Sequence, residues 1–352
     1  MPDSSSSPSP GEVSTEQIAE VLAARYGLPR ARVEIIPLGV ETDNAVADTE
    51  RGRVFVKAYP RAADLSVMAG RIELMQRGRT AGSPIPAVHP DVDGALITRH
   101  DGVALSVWDW ADAASLEEPF TAAHTPQIGT ALGRLHTALA EAPASRYKPN
   151  KNRWWEASGE DLAARGHELL ALIDQVSEPA EEDLRRREQV ATRIAQVKDV
   201  AALQAPLPAS PREQVVHFDF TGANLLWDAK EDLAAVIDLQ ARVAFPTWEL
   251  GRVLYEPHTV VESETWRQAA VEGVVAYAAE VPHGARTELP YAARMALLHN
   301  VTSFFGIDAL YEKHWPGAGI YARFWDLRAR AAERMLPVLD EIETELAQAL
   351  GL

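Results

Sequence analysis

Apolar positions repeat in two different ways along the first part of the chain. After Ser14, which can cap a helix, the side chains of Ile18, Val21 and Leu22 recur at helical spacing. From residue 33 to residue 59 the pattern changes to short β-type runs that are separated by polar turns. The spacing therefore predicts one helix followed by a group of strands.

A second helix and two further strands follow. Apolar residues fall on one face of a helix over roughly residues 63–79. Strands are predicted at residues 94–100 and 103–110, and the Asp-Gly pair between them is a strong hairpin signal. Strands, a helix and more strands together predict one small α+β unit that ends near Trp110.

The rest of the chain has a mostly helical pattern. Ile128, Leu132, Leu135 and Leu139 step by four, three and four residues along one helix, and Pro337 is expected to break the last helix. Short strands are predicted at residues 214–218 and 233–239, and later helices at residues 266–279, 291–305 and 324–349. The whole pattern predicts an α+β protein with a small β-rich N-terminal part and a larger helical C-terminal part.

Composition and charge argue against several classes of function. The 352 residues include 34 Lys and Arg against 51 Asp and Glu, and the net charge of −17 argues against nucleic acid as a partner. The absence of cysteine excludes disulfides, thiolate metal sites and a cysteine nucleophile. No stretch approaches the roughly 18 apolar residues of a membrane span, and residues 1–12 are typical of a disordered tail rather than a secretory signal. We therefore expect a cytoplasmic protein without a membrane partner.

The most informative segment is VVHFDFTGAN, residues 215–224. Asp219 follows His217 by two residues and Asn224 follows it by seven, which are the offsets of the phosphotransfer loop H-R-D-x-x-x-x-N. An Asp can accept the proton of a substrate hydroxyl as its oxygen attacks phosphorus. An Asn supplies an uncharged oxygen ligand to Mg²⁺. The spacing predicts Asp219 as the catalytic base and Asn224 as a metal ligand.

A second acidic metal ligand is expected, because Mg²⁺ usually binds one or two carboxylates in addition to phosphate oxygens. Val236-Ile237-Asp238 ends an apolar strand, and Asp238 lies fourteen residues after Asn224. A polar turn separates the two β-type runs, so a hairpin would bring Asn224 and Asp238 side by side. We expect Asp238 to bridge the metal ion to the phosphates of a nucleotide.

A lysine at the end of an earlier strand is the third element. VFVK, residues 54–57, has the form of the V-A-I-K strand whose lysine contacts the α- and β-phosphates. Such a lysine needs a carboxylate partner, and Glu73 in the next helix is the candidate, with Asp64 as the competitor. Taken singly, Lys57 is more often a solvated lysine and Glu73 more often a surface charge. Only the combination with Asp219, Asn224 and Asp238 gives them a role.

HFDFTGAN, VID and VFVK together resemble the aminoglycoside phosphotransferase/choline kinase superfamily, a branch of the protein-kinase-like fold. VALSVWDW, LGRLHTAL and TWELGRVLY also resemble segments of that group, and the resemblance covers most of residues 33–255. It implies a two-lobed protein-kinase-like fold. The implied parts are a nucleotide-binding N-terminal lobe at residues 13–106, a hinge at residues 107–110, and a catalytic and substrate-binding C-terminal lobe at residues 111–352.

The resemblance also implies a role for each candidate residue. Asp219 becomes the catalytic base, Asn224 and Asp238 become Mg²⁺ ligands, and His217 braces the catalytic loop. Lys57 contacts the phosphates of ATP with Glu73 as its partner, and backbone groups of Val107, Trp108, Asp109 and Trp110 hold the adenine.

Three features depart from the family pattern. Phe218 stands where a glycine is usual after the histidine. Leu239 and Gln240 follow the metal-binding Asp, where an aromatic and an acidic residue are common. The nucleotide-covering segment GVETDN, residues 39–44, contains only Gly39. The chain has no Gly-Lys pair, which excludes a Walker P-loop.

These observations predict an ATP- and Mg²⁺-dependent O-phosphotransferase. The acidic chain and the resemblance favour a small, amino-bearing acceptor similar to an aminoglycoside. One alternative is a kinase of Ser or Thr hydroxyls in a biosynthetic peptide, which would give the chain a protein partner in that pathway. A second alternative is a pseudokinase scaffold that binds nucleotide. The loop at residues 39–44 and the Leu239-Gln240 pair motivate that alternative.

Overall fold

The computed structural model describes residues 13–36, 42–151, 153–315 and 317–352. The predicted tail at residues 1–12, and Gly39 of the nucleotide-covering segment, lie outside the described residues. The chain divides into two compact units. Unit 1 comprises Met1–Ala114 and Leu225–Gln240, and unit 2 comprises Ser115–Asn224 and Ala241–Leu352.

The described residues contain the strands and helices that the sequence pattern predicts, together with elements that it does not predict. These are strands at residues 88–89 and 242–244 and helices at residues 246–254, 257–262 and 307–311. The strands are β1 Arg32–Ile36, β2 Asp43–Thr49, β3 Gly52–Tyr59, β4 Val88–His89, β5 Thr98–His100, β6 Val103–Asp109, β7 Gln214–Val216, β8 Leu225–Trp227, β9 Leu233–Val236 and β10 Arg242–Ala244. The α-helices are α1 Thr15–Tyr26, α2 Leu65–Thr80, α3 Thr125–Leu139, α4 Gly159–Ile173, α5 Glu181–Val197, α6 Val200–Gln204, α7 Pro246–Leu254, α8 Pro257–Glu262, α9 Trp266–Glu280, α10 Ala292–Thr302, α11 Ile307–Tyr311, α12 Ala318–Met335 and α13 Leu339–Leu350.

Unit 1 is built on one antiparallel sheet. Its strands lie in the order β1-β2-β3-β6-β4, and β5 also pairs with β6. Ser14 caps α1 through a reciprocal pair of hydrogen bonds with Gln17, as the sequence predicts. The apolar face of α1, formed by Ile18, Val21 and Leu22, is buried in the same core as the central strands. Burial of this face explains why the helix has its apolar residues at that spacing.

The predicted hairpin at Asp101-Gly102 is confirmed. The two residues have φ of 47° and 83°, which suits the tight turn between β5 and β6. The predicted strand over residues 94–100 is too long, because β5 covers only Thr98–His100. Asp91 instead holds the preceding residues in a turn, since its Oδ1 accepts the backbone N–H groups at positions 93 and 95.

The β8–β9 hairpin belongs to unit 1, although it lies within the sequence of unit 2. The two strands pair as predicted, with Leu225 opposite Val236. Val236 N donates to Pro84 O at 2.7 Å, and Trp227 pairs with Ala114. The predicted C-terminal lobe at residues 111–352 includes this hairpin. Backbone pairing over such sequence distances has no local signal that a sequence pattern could carry.

Unit 2 is mainly helical, with β7 and β10 as a two-stranded sheet. α7 approaches α10 closely at Gly251, where a Cβ atom would lie 2.0 Å from Ala292 O. Trp248 of α7 and Met295 and Leu298 of α10 share one buried cluster. Glycine at this position therefore allows α7 to pack closely against α10. This packing sets the position of the α7 side chains that contact the loop after β7.

The C-terminal helices break where the sequence predicts. α12 ends at Met335, a short 3-10 turn covers Leu336–Val338, and α13 begins at Leu339. Pro337 lies in that turn, as expected of a residue that cannot continue a helix. None of the helices in the described ranges combines the length and the apolarity needed to span a bilayer.

Candidate active site

A buried carboxylate on α7 holds the start of the loop that joins β7 to β8. Oε2 of Glu249, which is fully buried, accepts the backbone N–H of His217 at 3.0 Å. The same oxygen lies 2.9 Å from Nε2 of His136 on α3, whose Nδ1 lies 2.8 Å from the Tyr277 hydroxyl. Burial raises the pKa of Glu249, but the hydrogen bond from His136 and the nearby positive charges bring that pKa below its usual value. Glu249 is therefore an anion, and it anchors the loop from inside unit 2.

The Asp219 carboxylate is oriented from both sides. Its Oδ1 accepts from Nη2 of Arg252 on α7 at 3.2 Å, and its Oδ2 accepts from Nδ2 of Asn224 at 3.0 Å. Asn224 Nδ2 also donates to the Asp219 backbone oxygen at 2.8 Å, and Asp219 N donates to His217 Nδ1 at 3.3 Å. The side chain of Asp219 is nevertheless 41% exposed. The residues predicted as base, metal ligand and loop brace therefore lie together in unit 2.

The backbone of Phe218 has an unusual conformation. Its φ is +74°, in the left-handed region that favours glycine. The ring packs 5.7 Å from Trp248, and the Arg242 guanidinium lies 5.1 Å from its centroid. Arg252 Nη1 donates to the Phe218 carbonyl at 2.6 Å. A positive φ explains why glycine is usual at this position. In this chain the three contacts stabilise the same backbone conformation although the residue is a phenylalanine.

Lys57 and Asp238 form an ion pair within unit 1, although 181 positions separate them in the chain. Lys57 Nζ lies 2.6 Å from Asp238 Oδ1, and the two side chains are 25% and 41% exposed. The strand register places Lys57 between Asn44 of β2 and Ser106 of β6. Asp238 follows β9 and has a φ of +63°. Two residues that the sequence predicts to act on one nucleotide are therefore in direct contact.

The carboxylate that pairs with Lys57 is neither of the two candidates named from the sequence. Glu73 is exposed on α2 and does not reach Lys57, whose carboxylate partner is Asp238. Asp64, the alternative candidate, is the N-cap of α2, where its Oδ1 accepts from the backbone N–H groups of Ser66 and Val67. The sequence pattern places Glu73 beside the apolar face of α2. It does not determine whether Glu73 lies on the side of the helix that is nearer to Lys57.

The four residues of the predicted hinge differ in how much of their backbone is already paired. Val107 and Trp108 are buried in β6 and pair with β3 on one side and β4 on the other. Asp109 N donates to Ala87 O at 2.8 Å, and Asp109 Oδ1 lies 2.8 Å from His89 Nε2. Trp110 lies just beyond β6, and the Arg53 guanidinium is 5.5 Å from the centroid of its ring.

Comparison with known sequences decides the family. Residues 32–288 match the sequence model of the Phosphotransferase enzyme family. The chain belongs to this family. The matched range contains the whole stretch from Lys57 to Asp238, and it confirms the resemblance that the sequence motifs carry.

Curated relatives of this phosphotransferase family member include two homoserine kinases. The protein from Hyphomonas neptunium is 31% identical over 159 residues, which are 44% of this chain and 48% of the relative. The protein from Caulobacter vibrioides is 26% identical over 237 residues, which are 64% of this chain and 65% of the relative. The matched stretches thus span about half to just under two thirds of these relatives.

Solved structures confirm the predicted kinase-like α+β fold. Spectinomycin phosphotransferase in complex with ADP and spectinomycin has a TM-score of 0.64 at 13% identity, with 96% of this chain and 100% of that chain covered. Choline kinase from Cryptosporidium parvum has a TM-score of 0.56 at 10% identity, with coverage of 96% and 100%. The microcompartment-associated aminopropanol kinase has a TM-score of 0.55 at 16% identity, with coverage of 92% and 98%.

Sequence reasoning missed the α7 residues that support the loop. Arg252 and Glu249 both belong to TWELGRVLY, a segment that carries the family resemblance. Their spacing from the HFDFTGAN motif does not indicate contact with it, because the position of α7 beside the loop depends on tertiary packing, including its close approach to α10. Three positions separate them, which places both on one side of a helix.

A further carboxyl group lies beside the loop and carries an unusual pKa. The Gly222 N–H donates to Glu256, which follows α7, and a Cβ on Gly222 would lie 3.1 Å from Glu256 Oε2. Burial raises the pKa of Glu256 to about 7, although the Gly222 N–H and the charge of Arg252 act in the opposite direction. The loop that carries Asp219 in this family member therefore contacts a carboxyl group whose pKa lies near 7.

Proposed function

We propose that this chain transfers the γ-phosphoryl group of ATP, with Mg²⁺, to a hydroxyl group of a small, amino-bearing molecule. The observation that carries the proposal is the Asp219 carboxylate, which Arg252 and Asn224 orient while 41% of its side chain stays exposed. Family membership supports the reaction class. Alignment and charge neutralisation, rather than covalent chemistry, supply most of the rate in such transfers.

Asp219 would orient the acceptor and take its proton. Each of its carboxylate oxygens accepts one hydrogen bond from the protein and retains a further lone pair. An acceptor hydroxyl can therefore donate to Asp219 without displacing either Arg252 or Asn224. The proton then moves to the carboxylate as the hydroxyl oxygen forms its bond to the γ-phosphorus, while the bond from that phosphorus to the β–γ bridging oxygen breaks and ADP leaves.

The remaining residues suit the phosphates and the metal ion. Lys57 would leave Asp238 to contact the phosphates, as strand lysines of kinases do. The Asp238 carboxylate and the Asn224 side-chain oxygen are the hard ligands that Mg²⁺ prefers, and Asn224 turns its nitrogen toward Asp219. When bound, Mg²⁺ would neutralise charge on the phosphates.

The names of the relatives support the acceptor class. Homoserine kinases, choline kinase, aminopropanol kinase and spectinomycin phosphotransferase all act on small compounds that carry both a hydroxyl group and a nitrogen. We extend that class to this chain, and the aminoglycoside-like acceptor of the sequence prediction is one member of it.

The test uses purified protein, ATP, Mg²⁺ and a panel of acceptors, with ADP release and product mass as readouts. We expect phosphorylation of at least one acceptor that carries both a hydroxyl group and an amine, and a loss of about 100-fold or more in kcat for Asp219→Asn with ATP binding retained. Phosphorylation only of a Ser/Thr peptide would favour the peptide kinase. Binding of ATP without any phosphorylated product would favour the scaffold.

A further inference from the structure

A group of basic side chains continues from Asp219 into unit 2. We call Arg252, His299 and Arg328 the basic cluster; they belong to α7, α10 and α12. The Arg252 guanidinium contacts Asp219 and also lies 5.6 Å from the centroid of the Trp248 ring. The Trp248 ring in turn lies 5.4 Å from the imidazole of His299. The contacts thus lead from the catalytic carboxylate, through one tryptophan, to a histidine.

Arg328 adds a second guanidinium to this region. Its Nη1 lies 3.5 Å from Oγ of Ser303, the residue that follows α10. Burial, and then the charge of Arg252, lowers the pKa of Arg328 to about 10. Burial, and then the charges of Arg328 and Arg252, lowers the pKa of His299 well below its usual value. Ser303 follows His299 by four positions, so its contact with Arg328 places that guanidinium near His299, and the directions of these pKa shifts agree with this placement.

The charges of the basic cluster do not cancel. Arg252 is paired with Asp219, and His299 is neutral near pH 7 because of its lowered pKa. Among the described residues, no Asp or Glu forms an ion pair with Arg328. His299 Nδ1 is buried without a hydrogen-bond partner among the same residues. In the part of the chain that the structure describes, the charge of Arg328 therefore has no carboxylate partner, and Nδ1 of His299 has no hydrogen-bond partner.

A purely structural role for Arg328 would be to cap the carboxyl end of α10, where cations are favourable. Arg193 already has that role. It is almost fully buried, and its Nη1 donates to Asn300 O at 2.6 Å and to Val301 O at 3.1 Å. Arg328 donates to no carbonyl of α10 among the described residues, and it is only half-buried. Capping of α10 therefore does not explain why a positive charge is present at this position.

We infer that Arg328, with His299 beside it, binds a carboxylate group of the phosphate acceptor. The planar guanidinium suits a carboxylate, and one uncompensated positive charge matches one monoanion. The inference rests on the proposed function and narrows its acceptor class. The preferred acceptor is a hydroxy amino acid, rather than an amino alcohol that carries only positive charge.

A matched pair of acceptors tests this inference. L-Homoserine and 3-aminopropan-1-ol share a hydroxyl group and an amine, and only the first carries a carboxylate. We expect wild-type kcat/KM to be about tenfold or more higher for L-homoserine. In Arg328→Ala this preference should disappear through KM, while kcat/KM for 3-aminopropan-1-ol changes by less than about twofold.

Two further variants make the result specific. Arg323→Ala removes the same charge from an exposed position of α12 and should leave both acceptors unchanged. Arg328→Lys keeps the charge without the planar fork and should restore part of the preference. An equal loss for both acceptors in Arg328→Ala, or a wild-type preference for 3-aminopropan-1-ol, would overturn the inference.

A binding measurement separates this inference from the proposed function. Calorimetry with L-homoserine, Mg²⁺ and a non-hydrolysable ATP analogue requires no turnover. We expect binding to weaken about tenfold in Arg328→Ala and to stay unchanged in Arg323→Ala. Equal binding by wild type and Arg328→Ala would refute the carboxylate site. Arg328-dependent binding without phosphorylated product would instead refute the phosphotransfer.

Discussion

The residues proposed for phosphotransfer are held by different contacts in the two units. In unit 2, the loop that carries Asp219 is tied to Glu249 and Arg252, and Glu249 is fully buried. In unit 1, Lys57 and Asp238 form an ion pair, and both side chains are partly exposed. Buried polar contacts are costly to break, whereas exposed ion pairs contribute little to stability. The comparison indicates that the loop is preorganised by folding, while the Lys57–Asp238 pair can exchange its partners for a ligand.

The largest expected difference between the units is in stability. Glu249→Ala would leave the His217 N–H and the His136 ring without their buried acceptor, and we expect a loss of about 3–5 kcal/mol in the free energy of unfolding. Lys57→Ala should change that free energy by less than about 1 kcal/mol, because the pair is partly exposed. Urea unfolding followed by tryptophan fluorescence measures both.

Glu249→Gln is the matched control for size, since it keeps an acceptor for the His217 N–H and should lose less than Glu249→Ala. If Lys57→Ala destabilised the protein as much as Glu249→Ala, the contrast between the two units would be wrong.

Glu256 should give unit 2 a pH-dependent stability of its own. Its folded-state pKa of about 7 lies above the ordinary 4.5, so the folded protein binds more protons than the unfolded chain between these values. The contribution of Glu256 therefore favours folding below about pH 4.5 and is lost as the pH rises through 7, by on the order of 3 kcal/mol. Glu256→Gln should remove this term from unfolding curves measured at pH 5 and pH 8.

Glu262, on the exposed side of α8, provides a control, because Glu262→Gln should retain the wild-type pH dependence. An unchanged difference between pH 5 and pH 8 in Glu256→Gln would show that another group is responsible.

The sequence predicts the residues of contiguous motifs better than the residues that support them. Asp219 and Asn224 lie in one short loop, and Lys57 ends a strand, so spacing alone identifies them as candidates. The local position of Glu73 on α2 predicts it as the partner of Lys57, but the carboxylate that contacts Lys57 is Asp238, which follows a hairpin distant in sequence. Arg252 depends on the packing of α7 against α10, which no local pattern encodes. Sequence spacing thus predicts local geometry, and tertiary contacts decide the partners.

Substitution of Arg252 tests whether activity requires the hydrogen bonds that Arg252 donates to the loop that carries Asp219. Arg252→Ala would release the Phe218 carbonyl and Asp219 Oδ1, and we expect kcat to fall about 10- to 100-fold with little change in the KM for ATP. Arg252→Lys keeps the charge and should recover part of kcat. Steady-state kinetics with the best acceptor of the panel measures this split.

Arg330→Ala, which removes an exposed arginine paired with Glu262, should leave kcat unchanged. A rise in the KM for ATP without a fall in kcat would argue against the positioning role of Arg252.

The smallest expected effect concerns the backbone of Phe218. At a φ of +74°, a glycine avoids the steric cost that any residue with a Cβ incurs, of about 1 kcal/mol. Phe218→Gly and Phe218→Ala both remove the ring and its contacts with Trp248 and Arg242, so their difference reports the backbone alone. We expect Phe218→Gly to be more stable than Phe218→Ala by about 1 kcal/mol in urea unfolding, although both are less stable than wild type. Equal stability of the two variants would mean that the loop relaxes to a negative φ once the ring is gone, and that its remaining contacts in unit 2 do not fix the backbone conformation.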